Sequence, residues 1–108
     1  MAFRVVIKNI DLSVDPDKIL DMMKHIDIPI GDNMKYYEQR NINTKNNTYT
    51  LRIKYRSFNE QNDKMCKFYN DLITYKWIRL HYNENTSFKI SMKTIDYCNY
   101  IYNNVYNF

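Results

Sequence analysis

Glycine is almost missing from this chain: Gly31 is the single one, beside two prolines and one alanine in 108 residues. Phosphate loops and dinucleotide fingerprints need several glycines to bring backbone N–H groups against phosphate, so most nucleotide-dependent machinery is excluded. Cysteine is equally scarce. Cys66 and Cys98 lie 32 positions apart with no second cysteine near either, which rules out a C-x-x-C metal or redox pair. Both are expected as reduced core thiols. His25 and His81 are isolated as well, and a Cys66–His81 nucleophile pair has no third group to orient it. No enzymatic activity, metal or cofactor is therefore expected. Long apolar runs are also lacking, with nothing near the roughly 18 residues of a membrane span. At the N-terminus, Arg4, Lys8 and Asp11 interrupt any signal-peptide core. The expectation is a soluble, intracellular protein with no membrane partner.

What the chain does contain is ordinary for a folded protein in kind and unusual in emphasis. Apolar residues make up 44% and charged residues 26%, which fits one α+β domain over residues 1–108 rather than a disordered segment. Asn, Ile, Lys and Tyr together supply 50 of the residues. Their codons are A/T-rich, pointing to an AT-rich genome such as that of a large DNA virus, some parasites or some bacteria. Charge is uneven: residues 1–34 carry a net −2 and residues 35–108 a net +6. With a sequence pI near 9.0, this points to an anionic partner for the later two thirds.

Hydrophobic spacing predicts the elements. Residues 4–10 form a strand with Val5 and Ile7 on one face and Arg4, Val6 and Lys8 on the other. Asp15-Pro16-Asp17 reads as a helix start, with Ile19, Leu20, Met23 and Ile26 on one stripe of a helix over 16–26. A hairpin joins strands over 35–42 and 48–56 through the polar segment 43–47. In its second arm Tyr49, Leu51, Ile53 and Tyr55 alternate with Thr50, Arg52, Lys54 and Arg56, one face core and the other basic. Ser57-x-x-Glu60 has capping-box spacing ahead of a helix over 59–74, on which Met65, Phe68, Tyr69, Leu72 and Ile73 recur. A second hairpin spans 77–82 and 87–93, and a terminal helix covers 95–106 with Thr94 as its N-cap.

Strand, helix, strand, strand, helix, strand is the split βαβ order of ferredoxin-like folds, here over about 3–82, with a further strand and a terminal helix in 86–108. Within that class Val5-Val6-Ile7-Lys8-Asn9-Ile10 resembles the shorter RNP motif of RNA-recognition-motif domains: aliphatic, aromatic, aliphatic, any residue, Asn, then Leu or Ile. Val6 departs from it, standing where the family has a base-stacking aromatic. The longer RNP motif, rich in glycine and aromatics, has no counterpart in residues 47–55. The resemblance implies a four-stranded open face as the platform for RNA.

Alternation places Arg4, Lys8, Arg52, Lys54, Arg56, Trp77 and Arg79 on that face, together with Val6 and His81. Lys35, Tyr37, Gln39 and Asn41 join them if the parity of the second strand matches. Cations on phosphates and a ring under a base are what a single-strand binder uses. The bland reading is a solvated sheet face kept soluble by Arg and Lys. A third reading starts from Tyr97, Tyr100, Tyr102 and Tyr106, which crowd the last dozen residues as tyrosines do at interfaces. It implies a protein partner or homo-oligomer, in a virus a small structural component.

Overall fold

The computed structural model describes residues 2–102. Eight elements follow one another: β1 (Phe3–Asp11), α1 (Pro16–His25), β2 (Met34–Asn43), β3 (Thr48–Tyr55), α2 (Asp63–Tyr75), β4 (Trp77–His81), β5 (Ser87–Met92) and α3 (Thr94–Ile101). The result is an α+β architecture with one five-stranded sheet in the order β2-β3-β1-β5-β4, every neighbouring pair antiparallel. The core lies between one face of this sheet and helices α1 and α2.

β1 alternates as its sequence dictates, Phe3, Val5 and Ile7 inward and Arg4, Val6 and Lys8 outward. Asn9 then adopts a left-handed φ of 61°, and the register against β3 shifts between Ile7 and Ile10. One residue is thereby passed over, so Ile10 returns to the core where unbroken alternation would turn it out.

Helix α1 starts as expected, with Asp15 Oδ1 accepting from the Asp17 N–H at 2.9 Å and Pro16 in the first position. It stops one residue earlier than its stripe predicts. Asp27 takes φ 62°, its N–H donates to the Lys24 carbonyl at 3.1 Å, and the Ile28 N–H donates to the Met23 carbonyl at 3.0 Å. That turn leaves Ile26 48% exposed and buries Ile28 in its stead. Gly31, at φ 84°, makes the next reversal, where the Met34 N–H meets its carbonyl.

Helix α2 begins at Asp63, later than the Ser57-x-x-Glu60 spacing suggests. Asn62 is the N-cap, its Oδ1 accepting from the Met65 N–H at 3.2 Å, while the Asn59 side chain closes a local turn on the Gln61 N–H. Asn side chains that bond the backbone two residues on compete with helix, and here they delay it. Phe68 and Tyr69 of α2 meet Phe3, Tyr55 and Phe58 in an aromatic cluster, Phe3 and Tyr55 stacked at 5.2 Å.

The second hairpin sits differently from its place in the sequence reading. β5, read as part of an extension, is internal, and β4 forms the edge. Phe88, Ile90 and Met92 give β5 a fully apolar inner face, whereas β4 offers only Ile78 and Leu80. The arm with the more apolar inner face takes the central position and the shorter one the edge. Two further expectations change. Lys93, not Thr94, is the N-cap of α3, without a side-chain cap bond. Cys98 is exposed and Cys66 half-buried, its thiol donating to the Asn59 carbonyl, so neither is a core thiol. The part of the terminal helix expected over 103–106, with Tyr106, lies outside the described residues.

Candidate functional site

The sheet face turned away from α1 and α2 carries the candidate residues, and the antiparallel register sets them in rows. One row runs Glu38, Arg52, Val6, Ser91, Trp77, each opposite the next. On one side of it lie Tyr36, Lys54 and Arg4, and on the other Arg79 faces Lys89. Strand β2 contributes Tyr36, Glu38 and Arg40 rather than Lys35, Tyr37, Gln39 and Asn41. An irregularity between Met34 and Tyr36 advances the strand by one residue. Tyr37 is accordingly on the helical side, where its hydroxyl donates to Asp17 at 2.7 Å.

Of the seven residues singled out in the sequence, Arg4, Lys8, Arg52, Lys54, Trp77 and Arg79 do share this face. Arg56 does not. It follows the end of β3, its backbone N–H bonded to the Asn33 carbonyl and its Nε to the Met34 carbonyl at 3.1 Å.

The cations on the face differ in how they are held. Arg52 is clamped to Glu38 Oε1 by Nη2 at 2.6 Å and Nε at 2.9 Å, and Arg40 reaches the same oxygen at 3.3 Å. Hydrogen bonding from Arg52, working against desolvation, holds the Glu38 carboxyl below its ordinary pKa. Arg4 is forked onto Asp96 of α3, at 2.9 Å from Nη2 and 3.1 Å from Nε, and its backbone N–H donates to the same carboxylate at 2.9 Å. Burial pushes the Asp96 pKa up, but the bonds from Arg4 prevail and hold it low. The Arg4 guanidinium is correspondingly held above its ordinary value, first by that hydrogen bond.

Among the described residues Lys8, Lys54, Arg79, Lys89 and Lys93 enter no ion pair. Arg79 and Lys89 instead flank the half-exposed Trp77, the Arg79 guanidinium carbon 4.9 Å and Lys89 Nζ 4.8 Å from the ring centroid. Arg79 also donates to Ser87 Oγ at 2.6 Å. Lys93 has its pKa lowered by partial desolvation and by the neighbouring Arg4, Arg52 and Arg40. Sequence reasoning overlooked Lys89 and Lys93 because β5 was read as an extension. The alternation of Ser87, Lys89 and Ser91 with Phe88 and Ile90 was the signal available.

Helix α3 is tied to the start of β1 and to α2. Asp96 of α3 sits at the Arg4 corner, while Tyr100 meets Tyr69 of α2 edge-on at 5.9 Å. Lys8, Trp77, Arg79 and Lys89 stay exposed. On the opposite side of the molecule an open groove of about 520 Å³ between the end of α1 and α2 has an apolar floor of Ile26, Ile28, Phe68 and Ile78 and a rim of both signs. No three His, Cys, Asp or Glu side chains converge as metal ligands do among the described residues, and none of the described helices is long and apolar enough to cross a membrane. In comparisons with known proteins, no family model, no curated protein and no solved structure matches the chain.

Proposed function

We propose that the protein is a non-catalytic nucleic-acid-binding domain, holding single-stranded RNA or DNA on the open sheet face of a ferredoxin-like frame similar to that of RNA-recognition-motif domains. One observation carries this reading: five cations outside any ion pair among the described residues, Lys8, Lys54, Arg79, Lys89 and Lys93, share a single sheet face with an exposed Trp77, which Arg79 and Lys89 flank. A face built only for solubility has no use for a large exposed ring amid unneutralised charge, whereas a polyanion with stackable bases matches both features. Arg4 and Arg52 join such a contact only by exchanging Asp96 and Glu38 for phosphate.

The test is a salt titration of a short mixed-sequence single strand against wild type, Lys54→Ala and Trp77→Ala. Wild-type affinity falls steeply with salt, and Lys54→Ala lowers the slope by about 0.7. Trp77→Ala costs about 1 to 3 kcal/mol while leaving the slope nearly unchanged, since a ring releases no counterion. Wild-type binding no tighter than that of an unrelated protein of equal charge refutes the reading. An apparent size that then grows with protein concentration favours the alternative, a structural or interaction protein with a homo-oligomeric contact.

A further inference from the structure

Resting on the reading above, we propose that the cleft between the diverging ends of β1 and β5 is the phosphate-binding subsite of this face. There Lys8, Arg79 and Lys89, with the hydroxyls of Ser87 and Ser91, hold the backbone oxygens of the bound strand.

The cleft follows from the backbone. β1 runs to Asp11 and β5 starts at Ser87, yet their ladder spans only Val5–Ile7 against Ile90–Met92. It ends where Asn9 takes its left-handed φ of 61° and the β1 register breaks. A bulge bends its strand and leaves a residue out of the ladder. The strands separate there, and an open space of about 420 Å³ is lined by Lys8 and Asn9 from β1, Ser87, Lys89 and Ser91 from β5, and Arg79 from β4.

How the cations are held decides what the cleft can take. In the other half of the face carboxylates already engage the arginines: the Arg4–Asp96 pair has no net charge left for a ligand, and Arg40 and Arg52 share the single carboxylate of Glu38. In the cleft Arg79 is positioned by a hydroxyl and, with Lys89, by the face of an indole. Both are neutral groups, so the side chains are ordered while their charge stays uncompensated. Three positive charges from three strands converge on one concavity with hydroxyl donors at its wall. A phosphodiester entering it displaces no competing carboxylate and meets both charge and directed donors. The tracking half of the face is then β1–β5–β4, with Lys54 of β3 and the one charge that Glu38 leaves on Arg40 and Arg52 beside it.

The experiment measures affinity and salt slope for a labelled ten-nucleotide mixed-sequence single strand with Lys8→Gln, Arg79→Gln and Lys89→Gln. Lys24→Gln and Lys64→Gln on the helical side serve as controls of equal charge change. Each cleft variant is expected to bind about tenfold more weakly and to lose about 0.7 from the salt slope, while the controls shift affinity by about twofold or less. All five positions are exposed, and unchanged thermal melts verify the fold. If the strand binds wild type but the cleft variants behave like the controls and Lys54→Gln is the damaging one, the subsite assignment is overturned while the nucleic-acid reading stands. If wild type does not bind the strand above the level of an unrelated protein of equal charge, both fall together.

Discussion

Tyr49 and Tyr55 of β3 are fully buried, and each hydroxyl reaches the loop on one side of α1. Tyr49 donates to the Val14 carbonyl at 2.6 Å and Tyr55 to the Pro29 carbonyl at 2.9 Å, so the sheet grips the helix at both ends. Burial raises the Tyr55 pKa far above that of a free phenol and keeps the hydroxyl a donor. Tyr55→Phe leaves the Pro29 carbonyl without this bond, and a loss of about 1 kcal/mol is expected in urea denaturation, with packing otherwise retained. Alternation in the sequence placed both rings inside, but their acceptors lie 35 and 26 residues away and had no local signature. The cysteines make the converse point. Residue type alone put Cys66 and Cys98 in the core, whereas the helix face on which each falls left them half-buried and exposed.

Strand β3 is the element that joins core to candidate site. Its inward side chains Tyr49, Leu51, Ile53 and Tyr55 have almost no exposure, and Thr50, Arg52 and Lys54 face the other way. Leu51→Ala or Ile53→Ala should therefore cost about 2 to 5 kcal/mol in thermal or chemical melts, while Lys54→Ala changes stability by no more than about 0.5 kcal/mol. The reverse order would turn the strand over and remove Arg52 and Lys54 from the site. Strand β2, on the sheet edge beside it, is irregular at both ends, between Met34 and Tyr36 and between Arg40 and Asn43, where Asn41 adopts φ 53°. Such breaks shorten the straight run open to further pairing, a usual protection for an exposed edge. They also explain why the parity of β2 was open in the sequence: a one-residue advance reverses every side chain after it.

At the scale of the whole molecule, the fork between Arg4 and Asp96 anchors α3 to the first strand across 92 residues. The folded Asp96 pKa lies below its ordinary 3.8, so the contribution of the fork is complete above that value and is lost as pH falls through the lower, folded one. Glu38 acts in the same sense through Arg52. Asp96→Asn should accordingly melt below wild type near neutral pH, and the difference in Tm should shrink as pH drops below about 4, the ordinary carboxylate range. A difference that stays constant with pH would show that the carboxylate charge is not what holds the helix. The bidentate contact also bears on the face, since it takes Arg4 out of the charge offered to a ligand.

The sequence by itself determined the order of the elements, the inward and outward residues of β3 and of β1 as far as Lys8, and the presence of a basic face with one tryptophan. These are properties of period-two and helical spacing, which any strand or helix must satisfy locally before it can bury anything. Tertiary structure decided the rest. Strand order depends on which apolar face wins the central position, and β5 won it over β4 through contacts that no single segment contains. The bulges at Asn9 and in β2 arise where paired strands settle their register, and they opened the cleft and decided the parity of β2 that spacing had left open. Above all, a carboxylate from a distant element neutralises Arg4 and another from the adjacent strand is shared by Arg52 and Arg40, while a ring and a hydroxyl hold Arg79. Which positive charge remains available is a matter of spatial neighbours, and local spacing carries no information about them.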